Sequence, residues 1–124
     1  MTVFLDTDIA IDVLRARDQV ILSKWSALVA SGAVVLYSPV TAAEVWAGAF
    51  PREHQLISVF FRPLTCVAAD YETGQVAGEF LRKYAKSHSL DIPDALIAAA
   101  AVQSQAALWT RNRKHYPMTQ VTFF

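Results

Sequence analysis

The sequence predicts a three-layer α/β/α fold, in which helices cover both faces of a mainly parallel central sheet of four or five short strands. Short apolar runs recur along the chain, and segments with helical spacing of their apolar residues separate these runs. Strands separated by helices pair in parallel, because a parallel connection needs a long crossover. The 124 residues contain no repeat and no low-complexity linker, so we expect a single domain over residues 1–124.

A strand, a helix and a second strand are predicted at the start of the chain. The apolar run Val3–Leu5 ends at a charged residue and is typical of a buried strand. Asp18 is a suitable cap for a helix, because apolar residues follow it at helical spacing until Gly32. The Val-rich run Val34–Tyr37, bounded by Gly32 and Pro39, predicts the second strand.

The middle of the chain predicts three helices. Thr41 opens a helix that extends to about Ala47. Pro51 suits the first turn of the next helix, where the missing N–H has no partner to lose. Asp70 is the expected cap of a longer amphipathic helix that ends near Ser87.

The last third predicts one more helix and two more strands. Asp91 starts the helix, with Pro93 in its first turn. The stretch Ala95–Ala107 is so rich in alanine that we expect this helix to be closely packed and buried. Ala107–Thr110 and Val121–Phe124 are the expected third and fourth strands.

The formal net charge is zero and the isoelectric point is about 6.8, which argues against a protein that holds nucleic acid by bulk positive charge. The charges are segregated, however. Residues 1–12 carry three acids and no base, whereas residues 82–124 carry six bases and two acids. Local binding of an anionic partner by the second half of the chain therefore stays open.

Cysteine usage and hydropathy bear on the cellular compartment. A single cysteine, Cys66, excludes an intrachain disulfide framework and fits a reducing environment. Acidic residues interrupt the apolar N-terminus, so it does not resemble a signal peptide. No stretch of uncharged apolar residues is long enough to span a membrane. We therefore expect a cytoplasmic protein without a membrane partner.

Five acidic residues lie at the ends of predicted elements. Asp6 and Asp8 directly follow the first strand, and Glu44 lies in the first turn after the second. Asp91 and Asp94 are three residues apart at a helix start, so they share one face. Ligands of open parallel sheets bind beyond the carboxyl ends of the strands. We therefore expect these carboxylates to converge at one edge of the sheet.

Converging carboxylates need a counter-charge. At about 4 Å and an effective dielectric constant of about 20, each like-charge pair costs about 4 kcal/mol. Oxygen ligands favour Mg²⁺ or Mn²⁺, and the chain has no Cys/His set that would favour zinc. A cation that keeps bound waters can activate one of them and stabilise a phosphoryl transition state. The predicted chemistry is hydrolysis of a phosphodiester.

Most of these acids also have a purely structural interpretation. Glu44 follows Thr41 by three residues, which is the pattern of a capping box. Asp91 suits an N-cap position, and Asp94 would then favour the helix dipole. Asp8 could form an Asx turn or cap a helix over residues 9–14. Both kinds of role stay open at this point.

Asp6 and Asp12 represent the two extremes among the acids. Asp6 ends a buried strand, and a charge in that position needs a partner, so a purely structural role explains it poorly. Asp12 falls on the first helix, where we expect a solvated face. Only the first of these two is therefore a candidate for the site.

Four segments in order along the chain form a pattern that a known family shares. The segments are Val3–Asp8, Ser38–Gly48, Asp94–Ala101 and Trp109–Tyr116. Together they resemble PIN domains, and more narrowly the VapC-like toxin ribonucleases of VapBC toxin–antitoxin pairs. The resemblance covers the chain from residue 3 to about 117 and implies a PIN-like three-layer α/β/α fold.

The resemblance implies a catalytic and metal-binding set. Asp6, Glu44 and Asp94 match the acids that hold Mg²⁺ or Mn²⁺ in the family. Asp8 adds a charge where relatives often have Asn, and Asp91 is a further candidate as an outer acid. The function implied is that of a metal-dependent endoribonuclease toxin, which hydrolyses RNA with metal-activated water.

The segment after the third strand departs from the family pattern. Many PIN domains carry a fourth acid there, but this chain has His115 in its place, with Asn112 nearby. Asn112 is a candidate catalytic residue, and Thr110 and His115 are candidate secondary ones. The basic residues of this segment could hold RNA phosphates, although a solvated loop would explain them too. They are Arg111, Arg113 and Lys114.

The expected partners are an RNA substrate, a cognate antitoxin and a second copy of the chain. The helices over residues 41–61 carry more apolar surface than a small domain easily buries, and we expect part of it to meet one of these proteins. Their aromatic residues include Trp46, Phe50, Phe60 and Phe61.

Two other functions stay open. A catalytically weak PIN scaffold that only binds RNA or protein would explain the absent fourth acid. A phosphatase of the haloacid-dehalogenase kind would explain Asp6 and Asp8 after a strand, through a covalent aspartyl-phosphate. Lys114 is poorly placed for that chemistry, and the chain is short for it.

Overall fold

The central sheet has four strands, all parallel, in the order β3-β2-β1-β4. A computed structural model describes all residues from 1 to 124. The sheet confirms the predicted parallel α/β architecture, with β1 beside β2 on one side and beside β4 on the other. The strands are β1 (Thr2–Leu5), β2 (Val34–Tyr37), β3 (Thr65–Cys66) and β4 (Ala107–Trp109).

Six helices connect and cover the strands. Asp18, Asp70 and Asp91 accept hydrogen bonds from backbone N–H groups in the first turns of their helices, as the sequence predicts. Short 3₁₀ turns lie at Pro51–Glu53 and Arg113–His115. No helix is both long enough and apolar enough to cross a membrane. The helices are α1 (Thr7–Leu14), α2 (Gln19–Ala30), α3 (Pro39–Ala47), α4 (His54–Phe61), α5 (Tyr71–His88) and α6 (Ile92–Gln103).

Alternating residues of β1 divide the core between the two faces of the sheet. Phe4 packs in the larger apolar cluster with residues of α5 and the alanine-rich α6. Val3 and Leu5 point the other way and pack with residues of α1 and α2. All three side chains are fully buried. This arrangement is the predicted three-layer fold, and it brings the ends of β1 and β4 together.

Two predicted caps are wrong. Asp6, not Asp8, is the N-cap of α1, and its Oδ1 accepts a hydrogen bond from the N–H of Thr7 at 2.7 Å. Ser38, not Thr41, caps α3, because the helix already begins at Pro39. The capping-box interpretation of Glu44 therefore fails, and this carboxylate is available for another role.

One strand prediction and one surface prediction also need correction, and one strand was not predicted. The predicted strand Val121–Phe124 forms only a single bridge, between Leu108 and Phe123. The edge strand β3 was not predicted, because it consists of only two exposed residues and has no apolar run. Asp12, expected on a solvated face, is buried with a relative exposure of 4%.

Candidate active site

Asp6 lies at the carboxyl end of β1 and is buried, with a relative exposure of 5%. Its Oδ1 accepts the cap hydrogen bond from the N–H of Thr7. Its Oδ2 accepts hydrogen bonds from the hydroxyls of Thr110 at 2.7 Å and Tyr116 at 2.8 Å. These three donors compensate the loss of hydration and hold the carboxylate in one orientation.

Asp94 approaches the same tyrosine from the start of α6. The Tyr116 hydroxyl lies 3.3 Å from Oδ1 of Asp94, and Nδ1 of His115 lies 3.5 Å from Oδ2. Burial, together with the negative charges of Asp91 and Asp6, raises the pKa of Asp94 to about 6. A single hydroxyl thus connects two of the three acids that the resemblance implies.

Asp8 faces the segment that follows β4. Its Oδ2 accepts hydrogen bonds from the backbone N–H of Arg111 at 2.9 Å and from Nδ2 of Asn112 at 3.4 Å. Burial, together with the charge of Asp6, raises the pKa of Asp8 to about 6, although the N–H donors oppose the shift. Asp8 therefore belongs to the same negative cluster as Asp6 and positions Asn112 beside it.

Glu44 reaches the site from α3 through two threonines. The Thr7 hydroxyl donates to Oε1 of Glu44 at 2.7 Å. The same hydroxyl lies 3.0 Å from the hydroxyl of Thr41, which is fully buried. Because Thr7 also donates its N–H to Asp6, one residue connects Glu44 with the cap of α1.

The other predicted acid and the three basic residues have local contacts of their own. Asp91 caps α6, and its Oδ1 accepts a hydrogen bond from the N–H of Asp94 at 3.0 Å. The Arg111 guanidinium donates to Asp12 at 2.6 Å. The Arg113 guanidinium lies 5.0 Å from the ring centre of Phe123 and donates to the main-chain oxygen of Phe124. Lys114 takes part in none of the ion pairs.

The donor set fits a hard divalent cation. All the candidate ligands are oxygen atoms, and burial together with neighbouring carboxylates raises the pKa values of Asp8 and Asp94. In this conformation no three His, Cys, Asp or Glu side chains are grouped closely enough to enclose an ion. The Tyr116 hydroxyl instead connects Asp6 with Asp94, and Thr7 connects Asp6 with Glu44 through its N–H and its hydroxyl.

Sequence reasoning missed three residues of this network: Thr7, Tyr116 and Asp12. Thr7 and Tyr116 lie inside two of the segments that carry the family resemblance. No local sequence pattern predicts which acid the hydroxyl group of either residue contacts. Asp12 does have a sequence signal, because it follows Asp8 by four residues and so shares its helix face.

The chain belongs to the PIN domain family, whose model matches residues 3–119. It is 32% identical over 117 residues to Ribonuclease VapC19 of Mycobacterium tuberculosis, a match that covers 92% of this chain and 91% of that protein. The resemblance carried by the four sequence segments is therefore confirmed, including its narrower VapC-like part.

Solved structures of VapBC complexes have the same fold. VapBC2 from Rickettsia felis, bound to a DNA fragment from its promoter, matches with a TM-score of 0.81 and 21% identity over 100% of this chain and 98% of that one. DNA-bound VapBC from Salmonella typhimurium matches with a TM-score of 0.82 and 18% identity, covering 100% and 97%. Because these sequence identities are low, the two matches are evidence for the shared fold alone.

Proposed function

We propose that this protein is a divalent-metal-dependent endoribonuclease that acts as the toxin of a type II toxin–antitoxin system. The observation that carries the proposal is the pair of carboxylates, Asp6 and Asp94, held by one buried hydroxyl at the carboxyl end of the central strand. Its relative VapC19 is named a ribonuclease. Because the proposed substrate is cellular RNA, we propose that the reaction takes place in the cytoplasm.

Asp6, Glu44 and Asp94 are the proposed holders of Mg²⁺ or Mn²⁺, which when bound supplies an activated water and positive charge at the scissile phosphate. The chain's own residues prepare this site. Thr110 and Tyr116 orient Asp6, and Thr7 orients Glu44. His115 faces Asp94, with its Nδ1 atom 3.5 Å from Oδ2.

The proposed RNA contacts lie on the basic segment beside these acids. Residues 110–115 line a depression without any apolar side chain. Lys114 is exposed and outside every ion pair, so its ammonium can meet a backbone phosphate. Arg113 is exposed as well, but its guanidinium is already held at the C-terminus.

The proposed protein partner is an antitoxin that covers an apolar groove between α1, α3 and α4. The groove is lined by Ile11, Leu14, Val45, Phe50 and Ile57, among others. Phe61 is buried, but Trp46 and Phe50 keep relative exposures of 40% and 49%. Solved structures with the same fold include VapBC complexes, which supports an antitoxin as the partner. A homodimer is part of the same proposal.

Cleavage of a panel of structured RNAs tests the ribonuclease proposal. The protein is purified without any partner and assayed with Mg²⁺ and with EDTA. We expect EDTA, Asp6→Asn and Asp94→Asn each to lower the rate by at least about a hundredfold. Asp70→Asn is the control, because Asp70 caps α5 and contacts none of the site residues. Equal rates for wild type and both site variants would contradict the proposal.

A second function deserves a direct comparison because His115 stands where a fourth acid is common in the family. A non-catalytic PIN scaffold would bind the same RNAs but cleave none of them, with or without Mg²⁺. Measuring RNA binding and cleavage on one sample separates the two functions. Membership in the PIN family leaves the phosphatase alternative without support.

A further inference from the structure

Helix α1 holds Arg111 at two points. Asp8 and Asp12 are four residues apart on α1 and so lie on the same face. Oδ2 of Asp8 accepts the backbone N–H of Arg111 at 2.9 Å. Oδ2 of Asp12 accepts Nη1 of the Arg111 guanidinium at 2.6 Å. One acid therefore binds the main chain of this residue, and the other binds its side chain.

The two side chains of the ion pair between Asp12 and Arg111 differ strongly in burial. The Asp12 side chain is 5% exposed, whereas the Arg111 side chain is 53% exposed. Asp12 has no other ion-pair partner. A buried carboxylate without its cation is strongly disfavoured, so Asp12 keeps Arg111 against α1. The guanidinium is then held by the protein itself.

The two neighbours of Arg111 are candidate site residues. Thr110 donates its hydroxyl to Asp6 at 2.7 Å. Asn112 donates its backbone N–H to the Thr110 hydroxyl at 3.0 Å and its side-chain amide to Asp8. Because Arg111 lies between them, an anchor on its side chain also restrains both neighbours.

We propose that Asp12 is a positioning residue of the ribonuclease site: through its ion pair with Arg111 it holds Thr110 and Asn112 against the acids at the end of β1. In this assignment Arg111 orders the site and does not bind RNA phosphates. The proposal rests on the proposed function for its kinetic consequence, but not for its structural one.

Steady-state kinetics of Asp12→Asn, Arg111→Met and the double variant test this assignment. We expect each single variant to lower kcat on the order of tenfold to a hundredfold with KM unchanged, because misplaced groups slow the chemical step. The double variant should be no slower than either single one, since both remove the same contact. If Arg111 binds RNA instead, Arg111→Met raises KM at constant kcat, and that result overturns the proposal.

An exposed ion pair on α5 supplies the matched control. Oε2 of Glu79 lies 2.6 Å from Nη2 of Arg82, the same distance as in the Asp12 pair, but both side chains are more than half exposed. Glu79→Gln and Arg82→Met should leave kcat and KM at wild-type values.

Arg111→Met leaves the buried carboxylate of Asp12 unpaired and can lower stability by itself. The double variant Asp12→Asn, Arg111→Met removes that charge and restores folding.

Amide hydrogen exchange gives a readout that does not need activity. Exchange at the N–H groups of Arg111 and Asn112 should be faster in Asp12→Asn than in wild type, while exchange in β1 stays unchanged. A wild-type protein that cleaves no RNA would refute the proposed function alone, because exchange still reports on the ion pair. Unchanged exchange and unchanged kcat in Asp12→Asn, with an active wild type, would refute the positioning role alone.

Discussion

At the scale of single residues, the site depends on hydroxyl groups that hold carboxylates in place. Thr7, Thr110 and Tyr116 each donate to an acid that the family resemblance implicates. The Tyr116 side chain is 2% exposed, and burial together with the charges of Asp6 and Asp94 raises the pKa of its hydroxyl. It therefore acts as a neutral donor between two acids.

Removing this hydroxyl should destabilise the metal-free protein. In Tyr116→Phe the ring keeps its packing, but Asp6 loses one of three donors. A hydrogen bond to a charged group contributes about 1.5–3 kcal/mol, so the free energy of unfolding in EDTA should fall by about that amount. Urea denaturation measures it. Tyr71→Phe, at a residue 80% exposed, is the control, and equal stability of the two variants would contradict this account.

The raised pKa values of Asp8 and Asp94 predict a pH dependence of stability without metal. Both have a pKa of about 6 in the folded protein against an ordinary value of 3.8, so the folded state binds more protons between these values. Stability should therefore fall as the pH rises from about 4 to about 6. Melting temperatures in EDTA at pH 5 and pH 7 test this.

A matched variant identifies the source of that dependence. The double variant Asp8→Asn, Asp94→Asn removes both titrating groups, and its melting temperature should vary less between pH 5 and pH 7 than that of wild type. Added Mg²⁺ at pH 7 should raise the wild-type melting temperature by neutralising the same charges. A wild-type protein more stable at pH 7 than at pH 5 in EDTA would contradict the assignment.

At the scale of elements, α6 carries the end of the site that includes Asp94, and alanine allows its close approach. Residues Ala98–Ala101 are at most 1% exposed, in the cluster that includes Ala77 and Phe80 of α5. The alanine side chains allow α6 to pack closely against α5, and this packing leaves no space for a larger side chain at these positions. The position of Asp94 therefore depends on how closely α6 packs.

Enlarging one of these alanines should weaken the fold. Ala99→Leu forces extra volume into a filled core, and such overpacking typically costs about 1–3 kcal/mol. Chemical denaturation should show this loss, while Ala27→Leu on the exposed side of α2 should change stability little. A stability of Ala99→Leu equal to that of wild type would mean that the contact between α5 and α6 can expand.

At the scale of the whole molecule, the net charge is zero because the acidic and basic residues, including those of an acidic site and of a basic segment beside it, cancel in the sum. Bulk electrostatics then contributes little to RNA binding, and single contacts become visible in the salt dependence. Arg111 of that segment pairs with Asp12, and Arg113 donates to the main-chain oxygen of Phe124, whereas Lys114 takes part in no ion pair.

Loss of this single charge should weaken RNA binding uniformly across sequences. In Lys114→Ala we expect KM to rise at nearly constant kcat, and the slope of log affinity against log salt to fall by about 0.7 for one lost single-strand contact. Lys86→Ala on α5 is the control, because Lys86 lies outside the depression over residues 110–115. An unchanged salt slope would remove Lys114 from the RNA interface.

Local signals in the sequence determined most of the fold. The helix caps Asp18, Asp70 and Asp91 act within a few residues, and the apolar runs of β1 and β2 need only burial. The family resemblance also rests on four short segments that can be recognised one by one, and it implied the main acids before any contact was known.

Tertiary structure alone decided which partners those acids have. Thr110 and Tyr116 reach Asp6 across more than a hundred residues, and Arg111 reaches Asp12 across 99. These contacts exist because β4 pairs directly with β1, which brings the end of one strand to the end of the other. No local pattern records that pairing, so the hydroxyl network and the buried Asp12 ion pair emerge only when the chain is folded.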